Sequence, residues 1–165
     1  MKTTATAVVA SILAVSAGSM PLSSHAHGNE HQAAAVFDPV ATEFGRYEPG
    51  QKVTRTIEVE MSDQMRFTPN AIRVKQGDVI KFVHSNVGQV MHEFVLGTPE
   101  SLAHHAEMMK KFPGMQHEEP YMAHVAPGTT GVIVWQFSER GEFAFGCLLP
   151  GHFDAGMKGT VIVES

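Results

Sequence analysis

The sequence predicts an all-β domain, a β-sandwich with one short helical insertion. Three observations carry this. Short runs of alternating apolar and polar residues recur from residue 53 to residue 164, separated by turns that bear Gly and Pro. One stretch, Pro99 to Phe112, interrupts that texture with helical signals. The length of 165 residues suits a single domain with a sizeable core.

The elements follow in chain order. Val53, Ile57, Val59 and Met61 alternate with Thr54, Thr56, Glu58 and Glu60, the period of a half-buried strand, with Arg55 as an exception. Phe67-Thr68-Pro69-Asn70 reads as a turn, Ile72-Arg73-Val74 as a short strand and Gln76-Gly77-Asp78 as a tight turn. Val79 to Ser85 and His92 to Leu96 are further strands. PESLAHHAEMMKKF opens on Pro99 and Glu100 and closes on Lys110 and Lys111, the charge order that a helix dipole favours. Pro113 to Pro127 reads as an irregular loop. Gly131 to Phe137, Gly141 to Cys147 and Gly159 to Glu164 complete the set of strands, which pack as two layers.

The N-terminal residues stand outside this pattern. Lys2 gives a positive start, and Ala5 to Ala17 is apolar or small but too short to span a bilayer. Ser24-His25-Ala26 then offers small residues where a signal peptidase reads them. Residues 1–26 therefore read as a cleaved signal peptide, which sends the mature chain to the periplasm without membrane insertion. Residues 27–50 read as a flexible, His-containing N-terminal segment, and 51–165 as the domain.

Lys and Arg number 12 against 17 acids, a formal net charge of −5. Loss of the first 26 residues would remove Lys2 and no acid. A mildly acidic chain offers no basic footprint, so nucleic acid is not an expected partner. One Cys, ten His and ten Met are the unusual counts. A lone Cys in an exported chain has no internal disulfide partner, so it is a buried thiol or a functional one. Thioether and imidazole together suit copper.

The segment GEFAFGCLLPGHFDAGMKGTVIVE gathers these residue types. Phe143, Phe145 and Cys147 share one strand face, so the sulfur starts toward the core. A Pro-Gly turn, His152, Gly156 and Met157 follow. Thiolate, imidazole and thioether thus lie on one short loop that can bend around an ion. A thiolate with two imidazoles binds both copper oxidation states, and a more distant thioether completes and tunes the site. The second imidazole falls to His92, which shares a strand face with Phe94 and Leu96 and follows the loop Asn86 to Met91. Taken singly, such a Cys, His or Met is ordinary packing; in this order, at a strand–loop–strand junction, they form a ligand set.

C-x4-H-x4-M with a His far upstream resembles the type 1 copper loop of the cupredoxins, the relatives of plastocyanin, azurin and auracyanin. The resemblance covers about Val53 to Glu164. It implies a Greek-key sandwich with copper near one end, and a place for Asn86 in tying the two ligand loops together. The His-bearing N-terminus, VMHEFVLGTPE, HAEMMKKFPGM and FGCLLPGHFDAGM are more similar still to bacterial periplasmic copper-tolerance cupredoxins of the CopI type. That likeness implies copper tolerance.

Two other regions hold soft donors. Cleavage after Ala26 would expose His27 beside a free amine, with His31 close by. This is either a second copper site or a polar terminus. In the insertion, His104 and Met108 are four apart, as are His105 and Met109, and Met115, His117, Met122 and His124 follow. These residues either bind soft metal or cover the sandwich. Met61 and Met65 read as packing or surface, and His84 as structural.

The function expected is therefore a non-catalytic, one-electron copper protein of copper tolerance, acting with copper ions and an unidentified redox partner protein. The alternative is a soluble electron shuttle without a tolerance role. A thiol enzyme is disfavoured because Cys147 faces the core beside a Met that such chemistry does not use. A multicopper oxidase needs a second domain.

Overall fold

The computed structural model describes residues 36–113 and 117–165; residues 1–26, His27, His31 and Met115 lie outside the described residues. The strands are β1 (Val40–Thr42), β2 (Gly45–Tyr47), β3 (Arg55–Ser62), β4 (Arg66–Thr68), β5 (Ala71–Lys75), β6 (Val79–Asn86) and β7 (His92–Gly97). Helix α1 (Pro99–Lys111) is followed by β8 (Met122–Val125), β9 (Thr130–Gln136), β10 (Gly141–Gly146) and β11 (Lys158–Glu164). One sheet runs β1-β2-β9-β6-β3-β4 and the other β5-β11-β10-β7-β8. β3 pairs parallel to β6, and β5 parallel to β11. No helix among the described residues is long and apolar enough to cross a membrane.

Alternation decides what each strand buries. Ile57, Val59 and Met61 of β3 point inward between exposed Thr56, Glu58 and Glu60. Gly131, Ile133 and Trp135 of β9 do the same. The two layers meet on aromatic rings: Phe82 lies 5.5 Å from Phe94, and Phe94 lies 5.0 Å from Phe145, between ring centroids. All three are fully buried. Each such ring contributes about 1.5–3 kcal/mol by leaving water.

β7 departs from alternation, with all six residues buried. One face lies on the main core. The other lies under α1, where Val95 packs with Leu102, Ala106, Met109, Met122 and Leu148 in a separate apolar cluster. The helix forms because Thr98 caps it, Pro99 opens it and Ser101 returns a bond to the cap. Leu102, Ala106 and Met109 then recur on its inner side.

Three segments differ from the sequence reading. Arg66–Thr68 is a strand rather than a turn, paired with β3 and driven by burial of Phe67 against Phe94 and Phe145. Within the expected loop 113–127, Met122–Val125 is a strand paired with β7, because Met122 and Val125 are both buried. Residues 40–47, within the segment expected to be flexible, form β1 and β2. There Phe44 stacks on Trp135 at 5.3 Å, and Trp135 Nε1 donates to the Phe44 carbonyl at 3.2 Å. Gly45 allows this approach: its φ is +137°, and any Cβ would collide with Trp135 and the Gln136 carbonyl.

Candidate metal centre

The loop after β10 is closed by its own backbone. Cys147 N–H donates to the Met157 carbonyl, and Met157 N–H to the His152 carbonyl, each at 3.0 Å. His152 N–H donates to Leu149 at 3.0 Å, and Gly156 N–H to Phe153 at 3.1 Å. Gly151 and Gly156 take positive φ, 86° and 95°, where a side chain would be strained. This fold-back sets His152 Nδ1 3.3 Å from Cys147 Sγ. β7 runs antiparallel to β10, which brings its first residue, His92, to the same end. One ligand atom each from His92, Cys147 and His152 lies within 4.8 Å of the others. The two imidazole rings are 5.2 Å apart. Met157 is fully buried in the main core beside Cys147.

The polar surroundings suit a bound cation. Burial pushes the Cys147 thiol up to about 12, partly offset by the backbones of Glu93 and Leu149. Glu93 N–H donates to the sulfur at 3.3 Å. Burial, and then the neighbouring His92, hold His152 below its ordinary pKa, which leaves a neutral ring with a free lone pair. His92 Nε2 lies 3.1 Å from Asp63 Oδ1. A carboxylate accepts, so Nε2 carries the hydrogen and Nδ1 is left with a lone pair. That Nδ1 is buried without a hydrogen-bond partner. A buried, unpaired acceptor beside a thiol and a second imidazole is the donor set that a soft transition metal fits.

Two supporting acids were hardly legible in the sequence. Asp63 also accepts from the backbone of Gln89 at 2.7 Å and of Val90 at 3.4 Å. These bonds, Gln89 first, lower its pKa despite some burial. It thereby holds the loop that leads into His92, and Gly88 has no Cβ because one would overlap this carboxylate. Glu93 is 1% exposed. Its carboxylate accepts from Leu148 N–H at 3.1 Å and faces His124 Nε2 at 2.9 Å. No motif marks Asp63. A buried acid within the apolar run of β7 was the available hint for Glu93.

Asn86 corrects an expectation. Its Nδ2 donates to the Val90 and Val125 carbonyls, both at 2.8 Å, so it ties the loop before His92 to β8. The link between the two ligand segments is Glu93 instead, through Cys147 Sγ and Leu148 N–H. Met61 and His84 are buried in the fold, and Met65 packs on the core. In the insertion Met109 and Met122 face the apolar cluster under α1, and His124 pairs with Glu93. His104, His105, Met108 and His117 line a surface depression.

Residues 53–164 match the family model of copper binding proteins described as the plastocyanin/azurin family. The chain belongs to this family, the cupredoxins. Within it, the chain is 49% identical over 140 residues to the copper-resistant cuproprotein CopI of Rubrivivax gelatinosus, covering 85% of this chain and 84% of that one. It is 32% identical over 117 residues to the copper-resistant cuproprotein CopI of Vibrio cholerae, covering 70% and 69%. The fold is similar to that of reduced auracyanin from Roseiflexus castenholzii, with a TM-score of 0.59 at 20% identity, covering 69% of this chain and all of that one.

Proposed function

We propose that the chain is a periplasmic copper protein of copper tolerance, carrying one redox-active copper. His92 Nδ1, His152 Nδ1 and Cys147 Sγ would hold it as strong ligands, with the Met157 thioether as the weaker axial one. The observations that carry this reading are the convergence of His92, Cys147 and His152, one ligand atom of each lying within 4.8 Å of the others, and a buried His92 Nδ1 without a hydrogen-bond partner. Bound in such a site, copper supplies one-electron chemistry. The protein's part is to fix the donors, release the Cys147 proton on loading and exclude water from the sulfur.

The resemblance to the CopI proteins supports the tolerance role, and the signal-like stretch 1–26 supports export. The arrangement suits electron transfer rather than substrate conversion, because the sulfur is fully buried. His152 is half-exposed. Val87, Val90 and Met91, on the loop before His92, are exposed large apolar side chains. This end is where a redox partner protein would dock.

Loading the processed protein with Cu(II) and recording its visible spectrum tests the site. A thiolate charge-transfer band that vanishes in Cys147→Ser is expected; a protein that binds copper without colour contradicts it. Deletion of the gene tests the role. Copper sensitivity is expected, whereas a respiratory defect at low copper with unchanged tolerance would favour a plain electron shuttle.

A further inference from the structure

The Met/His insertion is not used by the buried centre, yet part of it is organised as donors. α1 is anchored from within by Leu102, Ala106 and Met109 and capped by Thr98, so its outward residues stand on a fixed platform. His104 lies four residues before Met108 and His105 three before it, the spacings of neighbours on a helix surface. The chain then returns so that the His117 ring lies 5.0 Å from that of His105, tilted by 38°. Together His104, His105, Met108 and His117 line an open depression of about 340 Å³. Every lining side chain is a metal-ligand type, and none is an acid or a lysine.

Packing alone does not account for this. Met109, the next residue, is buried in the cluster beneath, whereas Met108 stays half-exposed beside the imidazoles. Among the described residues, none of the three imidazoles has a hydrogen-bond or ion-pair partner. Burial lowers the pKa of His105; the Glu93 charge opposes this, and His117 and His104 add to it. The His105 ring is thereby favoured in its neutral form, which leaves a lone pair for a cation beside the His117 ring.

We infer that this depression is a second copper site, with the His105 and His117 imidazoles as principal donors and His104 and Met108 completing it from α1. Imidazoles accept Cu(II), and the thioether extends the site to Cu(I). With no thiolate it adds no intense colour. Its half-exposed donors exchange metal with solvent readily, which suits a site that takes up excess copper. It shares no donor with the Cys147 centre, although Glu93 acts on both, its N–H donating to Cys147 Sγ and its charge acting on His105.

The test uses the processed chain carrying His27→Ala and His31→Ala, so that the terminus contributes no imidazole. It is saturated with Cu(II), desalted, and read by copper content per chain and EPR. Adding His105→Ala and His117→Ala is expected to remove one copper per chain and a nitrogen-ligated signal, with the visible thiolate band retained. Unchanged copper content and an unchanged signal would overturn the site. A thiolate band absent from every variant would count against the buried centre and leave this comparison readable. The unsubstituted chain gives a second reading. Diethyl pyrocarbonate modification of His105 and His117, mapped by mass spectrometry, should be lost when Cu(II) is present. Equal modification with and without copper overturns the proposal.

Discussion

The His92 ring is held at Nε2 by Asp63, while its buried Nδ1 has no hydrogen-bond partner. Outer partners of this kind typically set metal affinity within a factor of about 10–100. Asp63→Ala should therefore weaken copper binding by roughly that factor, read by competition with a chelator. Unchanged affinity would mean that Asp63 serves only the loop. His84 is a different case. It is fully buried 4.1 Å from the Phe94 ring, and burial lowers its pKa to about 3, opposed only weakly by the Gly131 backbone. The unfolded chain takes up a proton near the ordinary imidazole value of 6.5, while the folded chain resists until about pH 3. Stability from this group is thus complete above 6.5 and falls as pH drops toward 3. His84→Leu should flatten the decline of Tm between pH 7 and pH 4; an unchanged slope would assign that decline to other groups.

At the scale of elements, α1 and β7 depend on each other. Leu102 is 2% exposed between the helix and β7. Leu102→Ala should cost about 2–5 kcal/mol in chemical denaturation, as a buried leucine does. A loss near zero would mean that the helix is a detachable cover. The helix was legible in the sequence because Pro99, Glu100, Lys110 and Lys111 act locally. The long strands were legible because they alternate. β4 and β8 were not: each is short, and each is fixed by a partner strand and by single buried residues such as Phe67 and Val125. β1 and β2 were missed because β1 pairs only with β2, and β2 joins β9 at a single register position beside a tertiary contact, Phe44 against Trp135 and Tyr121. Cys147, His152 and Met157 could be read together because one loop carries them. His92 was found by its strand face. Asp63 and Glu93 act across the fold and leave no spacing to read.

Across the whole molecule, one end of the sandwich combines the buried donors, the half-exposed His152 and the apolar Val87, Val90 and Met91. The chain's formal net charge is −5. A partner that docks on this end would meet an apolar contact within an acidic molecule. Val90→Glu with Met91→Glu should slow electron exchange with a protein partner while leaving the visible spectrum unchanged. Exchange at the unaltered rate would place docking elsewhere. The central claim, that His92, Cys147 and His152 converge on copper, is tested most directly by copper-edge X-ray absorption of the loaded protein. One short copper–sulfur bond and two imidazole nitrogens are expected, with the sulfur lost in Cys147→Ser. A coordination shell of nitrogen and oxygen alone in the unsubstituted protein would contradict it.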